Sequence, residues 1–446
     1  MAASFSLDMD FRGIPVTVMG LGHFGGGLGA ARYLARRGAA VTVSDRGSAA
    51  ELAEALAGLA DVPLAGLHLN GHRETDFEHA GLILVNPAVR PGHPLLEVAR
   101  GAGATLVTEI ELFLEACPAP VVGVTGSNGK STTAALLAAA LSAAGRRVFL
   151  GGNLGGSLLE DLEAIDPRDC AVVELSSFQL HYLRPQARLP RLAVVTGCTA
   201  NHLDWHGDWP SYVAAKQRLL AGQDAGCLAV FDPGDGELHR WRRLVRGEFL
   251  APWPLHRLPP LRLPGEHNRR NAALAAAAAE AAGCGPDAIA AGLAAFAGLP
   301  QRLERLATVA GRLIVDDSAA TTPHSTLAAL AAVPSPRWLI AGGSDKQTPL
   351  GPLVSAIADR ASGAAFFGAM GPRLGKMLAA VAPGLPAAVC TTLDEALDWC
   401  LRKSRPGETI LFSPALASHD QFRNYRQRGK HFARLVASLR GPSARG

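Results

Sequence analysis

Aromatic side chains are scarce in these 446 residues, at 6%, and neither charge predominates: 43 Lys and Arg stand against 39 Asp and Glu. A formal net charge of only +4 excludes a chain whose main task is to neutralise a nucleic-acid backbone. The seven cysteines form no Cys-x-x-Cys pair and are odd in number, so reduced thiols are expected. No basic stretch followed by an apolar one stands at the start, so no secretory signal is expected. A bilayer-spanning run is lacking as well, since the most apolar long segment, Asn271–Ala282, is interrupted by Glu280. These absences together predict a cytoplasmic protein with no membrane insertion and no nucleic-acid partner. What the chain has instead is 49 Gly, alanine-rich stretches such as Ala272–Ala279, and 48% hydrophobic residues. That excludes bulk disorder and suits helices laid closely on sheets.

Short apolar runs alternate with helical stretches, and no internal repeat is present. Ile14–Met19, Ala40–Ser44, Gly81–Val85 and Ala104–Val107 read as strands of a first β-α-β region. A second series runs through Val121–Val124, Cys170–Glu174 and Leu192–Thr196, followed by the proline-dense Pro252–Pro264 and an alanine-rich helix. A third comprises Leu313–Val315, Trp338–Ala341, Ala364–Phe367 and Thr409–Phe412. The fold class is therefore α/β with three domains. The expected divisions are 1–109, Rossmann-like; 110–298, a central P-loop ATPase-type domain with a mostly parallel sheet; and 299–446, again Rossmann-like.

The strongest chemical signal is Gly-Val-Thr-Gly-Ser-Asn-Gly-Lys-Ser-Thr-Thr at 123–133, between a strand and a helix. Gly126 and Gly129 let successive backbone N–H groups converge, and the helix N-terminus behind them favours an anion. Lys130 can reach the β- and γ-phosphates, and the Ser131 hydroxyl can hold Mg²⁺. Val124 replaces the first glycine of a strict Walker motif. An ordinary glycine turn explains less, because strand, turn, Lys-Ser and helix fall in the required order. A nucleoside triphosphate is the expected ligand.

A second glycine turn, Gly20–Gly25, follows the first strand, and Asp45 ends the next one. Alone this is a dinucleotide fingerprint and suits NAD, but a UDP-linked substrate satisfies it as well. In both cases a pyrophosphate sits at the helix N-terminus, with Asp45 accepting from a ribose or base. Packing without a ligand is the third possibility. Glu174 closes the strand CAVVE, and Thr199-Ala-Asn-His-Leu-Asp-Trp-His206 lies beyond the next strand. Glu174, His202, Asp204 and His206 could be read as a zinc cluster, although nothing further completes such a site. A Mg²⁺ site shared with substrate phosphate is better motivated by the upstream P-loop. Asp204 and especially His206 are expected on a solvated turn.

Several segments together resemble the Mur ligases: Thr-Gly-Ser-Asn-Gly-Lys-Ser-Thr (125–132), Glu-Leu-Ser-Ser-Phe-Gln-Leu (174–180), and Asn-His-Leu-Asp (201–204) with Lys216. Glu-His-Asn-x-x-Asn (266–271), Gln-Arg-Leu-Glu (301–304) and Asp-Ser-x-Ala-Thr (317–321) continue the family's order. The ending Ser-Pro-Ala-x-Ala-Ser-x-Asp-Gln-Phe (413–422), followed by Arg428-Gly429, is similar to the glutamate-adding branch. The resemblance spans the whole chain. It implies ATP-dependent addition of D-glutamate to UDP-N-acetylmuramoyl-L-alanine through an acyl phosphate, a cytoplasmic step of peptidoglycan precursor synthesis. L-Glutamate, or another amino acid of the superfamily, is the alternative, and a monomer is expected.

By the same resemblance, the UDP part would meet Gly22, His23, Phe24, Asp45 and Arg46. Asn153 and Ser176 match positions near the muramoyl group. ATP would be held by Gly126, Ser127, Asn128, Gly129, Lys130, Ser131 and Thr132, with Asn268, Asn271, Arg302 and Asp317. Two Mg²⁺ ions are implied, one at Ser131 and Glu174, the other at His202 and a Lys216 carbamylated by CO₂. Lys130, Glu174, His202 and Lys216 are the implied catalytic set. Thr321, Lys346, Ser418 and Tyr425 would line the incoming amino acid. Residue 319 is Ala where the family commonly has Lys, which removes one cation beside a dicarboxylate. Tyr425 stands where Phe is usual and keeps the ring.

Overall fold

The computed structural model describes residues 10–22, 24–345 and 348–439. His23 and Lys346, both expected to meet substrate, lie outside the described residues. By its internal contacts the chain divides into two compact units. One is the chain up to Pro259 together with Asn271–Leu293; the other is Pro260–Arg270 together with the chain from Ala294 onward.

The first unit contains two sheets. β1 (Pro15–Met19), β2 (Ala40–Ser44), β3 (Gly66–His68), β4 (Leu82–Val85) and β5 (Thr105–Val107) form a parallel sheet in the order β3-β2-β1-β4-β5. Val16 and Val18, Val41 and Val43, and all of Leu82–Val85 are buried, as expected where β-branched residues fill a sheet covered on both faces. The strand order reverses at β1, and the glycine turn leaves the C-terminal end of that strand, the usual ligand crevice of such sheets.

β6 (Val121–Thr125), β7 (Val148–Gly152), β8 (Cys170–Glu174), β9 (Leu192–Val195), β10 (Leu228–Phe231) and β11 (Glu248–Leu250) form the second sheet, parallel throughout, in the order β11-β10-β9-β6-β8-β7. β6 is central, and its C-terminal end carries the P-loop. One apolar core runs beneath both sheets, from Phe11 and Val16 to Phe231 and Trp241. Alanine allows close packing here: Ala272–Ala279 are buried along the helix Glu266–Ala281.

The second unit carries β12 (Glu304–Val309), β13 (Arg312–Asp316), β14 (Arg337–Gly342), β15 (Gly363–Phe367), β16 (Ala387–Val389) and β17 (Thr409–Ala415), ordered β12-β13-β17-β14-β15-β16. Only β12 runs antiparallel, to β13. Among the described residues no helix is long and apolar enough to cross a membrane.

Candidate active site

The P-loop is set by its backbone. Gly129 adopts φ +82 and caps the helix Lys130–Ala143 from the left-handed region. A Cβ there would lie 2.4 Å from Asn271 Oδ1, so glycine is required by conformation and by space together. Asn271 is thereby placed against the loop. Ser127 is buried, donates through Oγ to Thr199 O at 2.8 Å and shares a 2.7 Å bond with the Tyr212 hydroxyl. Thr196 Oγ1 donates to Asn128 O. The loop is therefore held from behind by the segment Thr196–Thr199 and by Tyr212, a role the sequence did not signal for either. Lys130 curls back so that Nζ donates to Gly126 O at 3.0 Å and to Ser127 O at 3.2 Å.

Glu174 ends β8 in register with Val124 of β6, which puts its side chain beside the first turn of the P-loop helix. Ser131 Oγ donates to Glu174 Oε2 at 2.6 Å, and Asn153 Nδ2 donates to Oε1 at 2.8 Å. A hydroxyl and a carboxylate, both hard oxygen donors next to a phosphate loop, are the donor set that suits Mg²⁺. Lys216 is 1% exposed, its Nζ donating to Gly126 O at 2.8 Å. Burial, reinforced by the Lys130 charge, holds its ammonium pKa well below the ordinary value. The neutral amine is the form that adds CO₂, and burial favours that form at Lys216.

His202 sits in the left-handed region at φ 55, its ring 4.7 Å from that of Phe178. His206 differs from expectation. It stacks on Phe178 at 5.6 Å, Nε2 bonds Ser177 Oγ at 3.0 Å, and burial lowers its pKa to about 4. The aromatic neighbours Phe178, Trp205 and Tyr212 draw the imidazole inward, while Asp204 remains exposed as expected. No group of three or more His, Cys, Asp or Glu able to hold a metal occurs among the described residues, so the zinc-cluster reading has no structural counterpart there. Ser176 caps the helix Ser177–Tyr182 in a reciprocal capping box with Gln179.

At the first sheet, both Asp45 oxygens accept backbone donors, Oδ2 from Leu21 N and Oδ1 from Gly47 N, each at 2.8 Å. Asp45 thus ties the glycine turn to the end of β2. Arg46 and Phe24 are exposed. The segment Leu67–Arg73 bonds back to Asp45 and Gly47 and lines a cavity of about 480 Å³. The Asn70-Gly71 pair signals its turn, but nothing in the sequence links it to Asp45. Asn86, also unforeseen, lays its amide on Gly20 and Gly22.

The remaining expected residues belong to the second unit. Asp317 follows β13, accepts from Ser413 Oγ at 2.7 Å and from Leu303 N at 3.3 Å, and burial pushes its pKa up to about 7. The Arg302 charge acts against this shift. Asn268 is buried and donates to Pro264 O at 2.8 Å. Ser418 is buried, Thr321 and Tyr425 are half-buried, and Tyr425 opens the helix Tyr425–Ser438. Ala319 presents only a methyl group, its N–H bonded to Gln301 O. Arg428 is fully buried and donates to Leu416 O and Ser318 O, each at 3.1 Å, so it binds the loop after β13 to the loop after β17.

Three family models match the chain: the N-terminal domain of MurD-like Mur ligases over residues 15–108, the Mur ligase middle domain over 124–250, and the Mur ligase glutamate ligase domain over 301–416. A UDP-N-acetylmuramoylalanine--D-glutamate ligase of Anaeromyxobacter dehalogenans is 39% identical over 466 aligned residues, covering 96% of this chain and 98% of the relative. One of the same name from Symbiobacterium thermophilum is 36% identical, covering 92% and 95%. In fold the chain is similar to the crystal structure of UDP-N-acetylmuramate-alanine ligase from Thermotoga maritima. That match has a TM-score of 0.64 and 18% identity, and covers 95% of this chain and 99% of that one.

Proposed function

The chain belongs to the Mur ligase family, and from that premise we propose that it adds D-glutamate to UDP-N-acetylmuramoyl-L-alanine with hydrolysis of ATP to ADP and phosphate. The observation that carries this reading is the near-full-length match to relatives named for that ligation. The Ser131–Glu174 pair beside the P-loop supports the ATP-dependent chemistry. The division into 1–109, 110–298 and 299–446 is retained, the three sheets falling one in each. The reaction would be a cytoplasmic step of peptidoglycan precursor synthesis, carried out by a monomer.

A carboxylate is a poor electrophile, so the alanine carboxylate attacks the γ-phosphorus of ATP, ADP departs, and an acyl phosphate results. That step brings anion against anion. Lys130, Arg302 and the P-loop N–H groups of Gly126 to Thr132 would offset the repulsion. Ser131 and Glu174 would hold one Mg²⁺, and His202 with a carbamylated Lys216 a second, which when bound supply charge neutralisation at the phosphate oxygens. The neutral amine of glutamate then attacks the acyl carbon and phosphate leaves. A phosphate oxygen, or His202 where it is not bound to the metal, would accept the amine proton. Gly22, His23, Phe24, Asp45 and Arg46 would meet the UDP moiety, and Asn153 and Ser176 the muramoyl group. Asn268, Asn271 and Asp317 would meet the nucleotide. Thr321, Lys346, Ser418 and Tyr425 would receive glutamate.

A second reading, the same ligation with L-glutamate or another amino acid, is favoured by Ala319, which leaves one cation fewer near the incoming side chain. Phosphate release from UDP-N-acetylmuramoyl-L-alanine and ATP, with D-glutamate, L-glutamate, D-aspartate and meso-diaminopimelate offered separately, tests both. Turnover with D-glutamate alone is expected. Turnover with L-glutamate alone would keep the ligase and reverse the stereochemistry, and turnover with diaminopimelate alone would overturn the reading.

A further inference from the structure

A second glycine-rich segment, Gly151-Gly-Asn-Leu-Gly-Gly-Ser157, leaves β7 and carries Asn153, the partner of Glu174. Its far end is seated on the glycine turn of the first sheet. Gly156 N donates to Phe24 O at 2.8 Å. Ser157 lies so close to the helix Gly26–Arg36 that a Cβ on Gly29 would come within 2.3 Å of the serine Cβ. Ser157 Oγ in turn donates to Glu109 Oε1 at 2.6 Å. The other carboxyl oxygen, Oε2, stands 3.9 Å from where a Cβ of Gly26 would be, beside the first turn of that helix. One contact chain therefore runs from the first-sheet turn through Ser157, its loop and Asn153 to Glu174.

We infer that Glu109 and Ser157 form a latch that holds this loop on the glycine turn and positions the turn for the diphosphate of the UDP-linked substrate. The inference rests on the proposed function for the identity of that substrate. The helix Gly26–Arg36 starts from Gly25 in the left-handed region with no side-chain cap and no acidic residue in its first turn. Its N–H groups are thus available to an anion. A carboxylate held beside them competes with phosphate, whereas a protonated carboxyl does not. Burial raises the Glu109 pKa to about 7, against the opposing effect of the Ser157 bond. The charged groups on the surrounding elements are engaged elsewhere. Arg32 of the same helix pairs with Glu160 at 2.8 Å, Glu111 of Glu109's own helix pairs with Arg184, and Asp45 holds Leu21 N.

Glu109 and Ser157 are positioning residues, so their test separates binding from turnover. Calorimetric titration of the full-length protein with UDP-N-acetylmuramoyl-L-alanine, without ATP, is run at about pH 6 and about pH 9, either side of the shifted carboxyl. In the wild type the affinity is expected to fall about fivefold at the higher pH, as like charge develops beside the diphosphate. Glu109→Gln keeps an oxygen acceptor for Ser157 but cannot ionise, so the pH dependence should vanish. Ser157→Ala should raise KM for the UDP substrate about tenfold while KM for ATP and kcat change less than about twofold. Amide hydrogen exchange at Gly156, read on the ligand-free protein, reports the latch independently of substrate identity. Faster exchange in Ser157→Ala than in the wild type is expected. A pH dependence preserved in Glu109→Gln, or unchanged Gly156 exchange in Ser157→Ala, overturns the inference. If Gly156 responds as expected but the wild type does not bind UDP-N-acetylmuramoyl-L-alanine, the substrate assignment falls and the latch stands.

Discussion

Ser131 Oγ and Glu174 Oε2 lie 2.6 Å apart, joining the first turn of the P-loop helix to the end of the neighbouring strand. Asn153 completes the arrangement on the other carboxylate oxygen. Glu174→Gln keeps the shape but removes the charge, and one end of the amide then offers a donor where an acceptor is needed. The expected result is a loss of about 100-fold or more in kcat, with a higher Mg²⁺ requirement. Phosphate release across a Mg²⁺ titration checks this. A variant with wild-type turnover and Mg²⁺ dependence would remove Glu174 from the catalytic set.

Lys216 donates from Nζ to the Gly126 carbonyl at 2.8 Å, and the Glu174 charge acts on it. A buried lysine so placed is either a structural donor or the seat of a carbamate. Lys216→Ala removes both and should abolish most activity. Short carboxylic acids such as acetate would enter the vacated space and restore part of it only if a carboxylate is what the site needs. Turnover of Lys216→Ala measured with and without added acetate separates the two roles, and no rescue would sink the carbamate.

Most strands legible in the sequence are buried on both faces, such as Val121–Thr125 and Cys170–Glu174, whose β-branched runs carry their own signal, although the edge strand β5 is legible too. β3, β7, β11, β12 and β16 escaped as sheet edges, β7 ending in two glycines and β12 being a partly exposed antiparallel strand, and the interior strand β10 escaped as well. The P-loop helix starts at Lys130, because Gly129 turns the chain directly into it. Ser131 and Glu174 could be read from the sequence since each follows from a strand end and a local motif. Tyr212, Asn86, Glu109 and Ser157 could not. Each acts through a segment distant in sequence, as when Ser127 meets Tyr212 across 85 positions, and no local pattern encodes that meeting. His206 shows the same limit, since its ring cluster forms only when Phe178 arrives from another helix.

Gly129→Ala tests how far the P-loop depends on its cap. The new methyl would need a left-handed backbone and would meet Asn271 Oδ1 at 2.4 Å. Left-handed strain alone costs about 1–3 kcal/mol, and relief by moving the loop would spoil the phosphate cradle. The expected outcome is at least about a tenfold weaker ATP affinity with binding of the UDP substrate unchanged. Calorimetry with each ligand separately checks it, and parallel losses for both would point to general unfolding instead.

Asp317 gives the second unit a pH dependence whose sign follows from its burial. Its carboxyl titrates at about 7 in the folded chain, against about 3.9 when unfolded. Between these values the folded state holds a proton that the unfolded state has released. This contribution to stability is therefore fully present below about pH 4 and is lost as the pH rises through about 7. Asp316, raised to about 6, acts in the same direction over a narrower window. Asp317→Asn removes the larger part, because an amide oxygen can still accept from the Ser413 hydroxyl and cannot ionise. Wild type and variant should then differ in the slope of melting temperature against pH between about 4 and about 7, the variant being flatter by the equivalent of about 1–3 kcal/mol. Equal slopes would mean that Asp317 is already ionised at neutral pH, its charge held by Arg302, and that its burial costs the fold far less than the surrounding geometry implies.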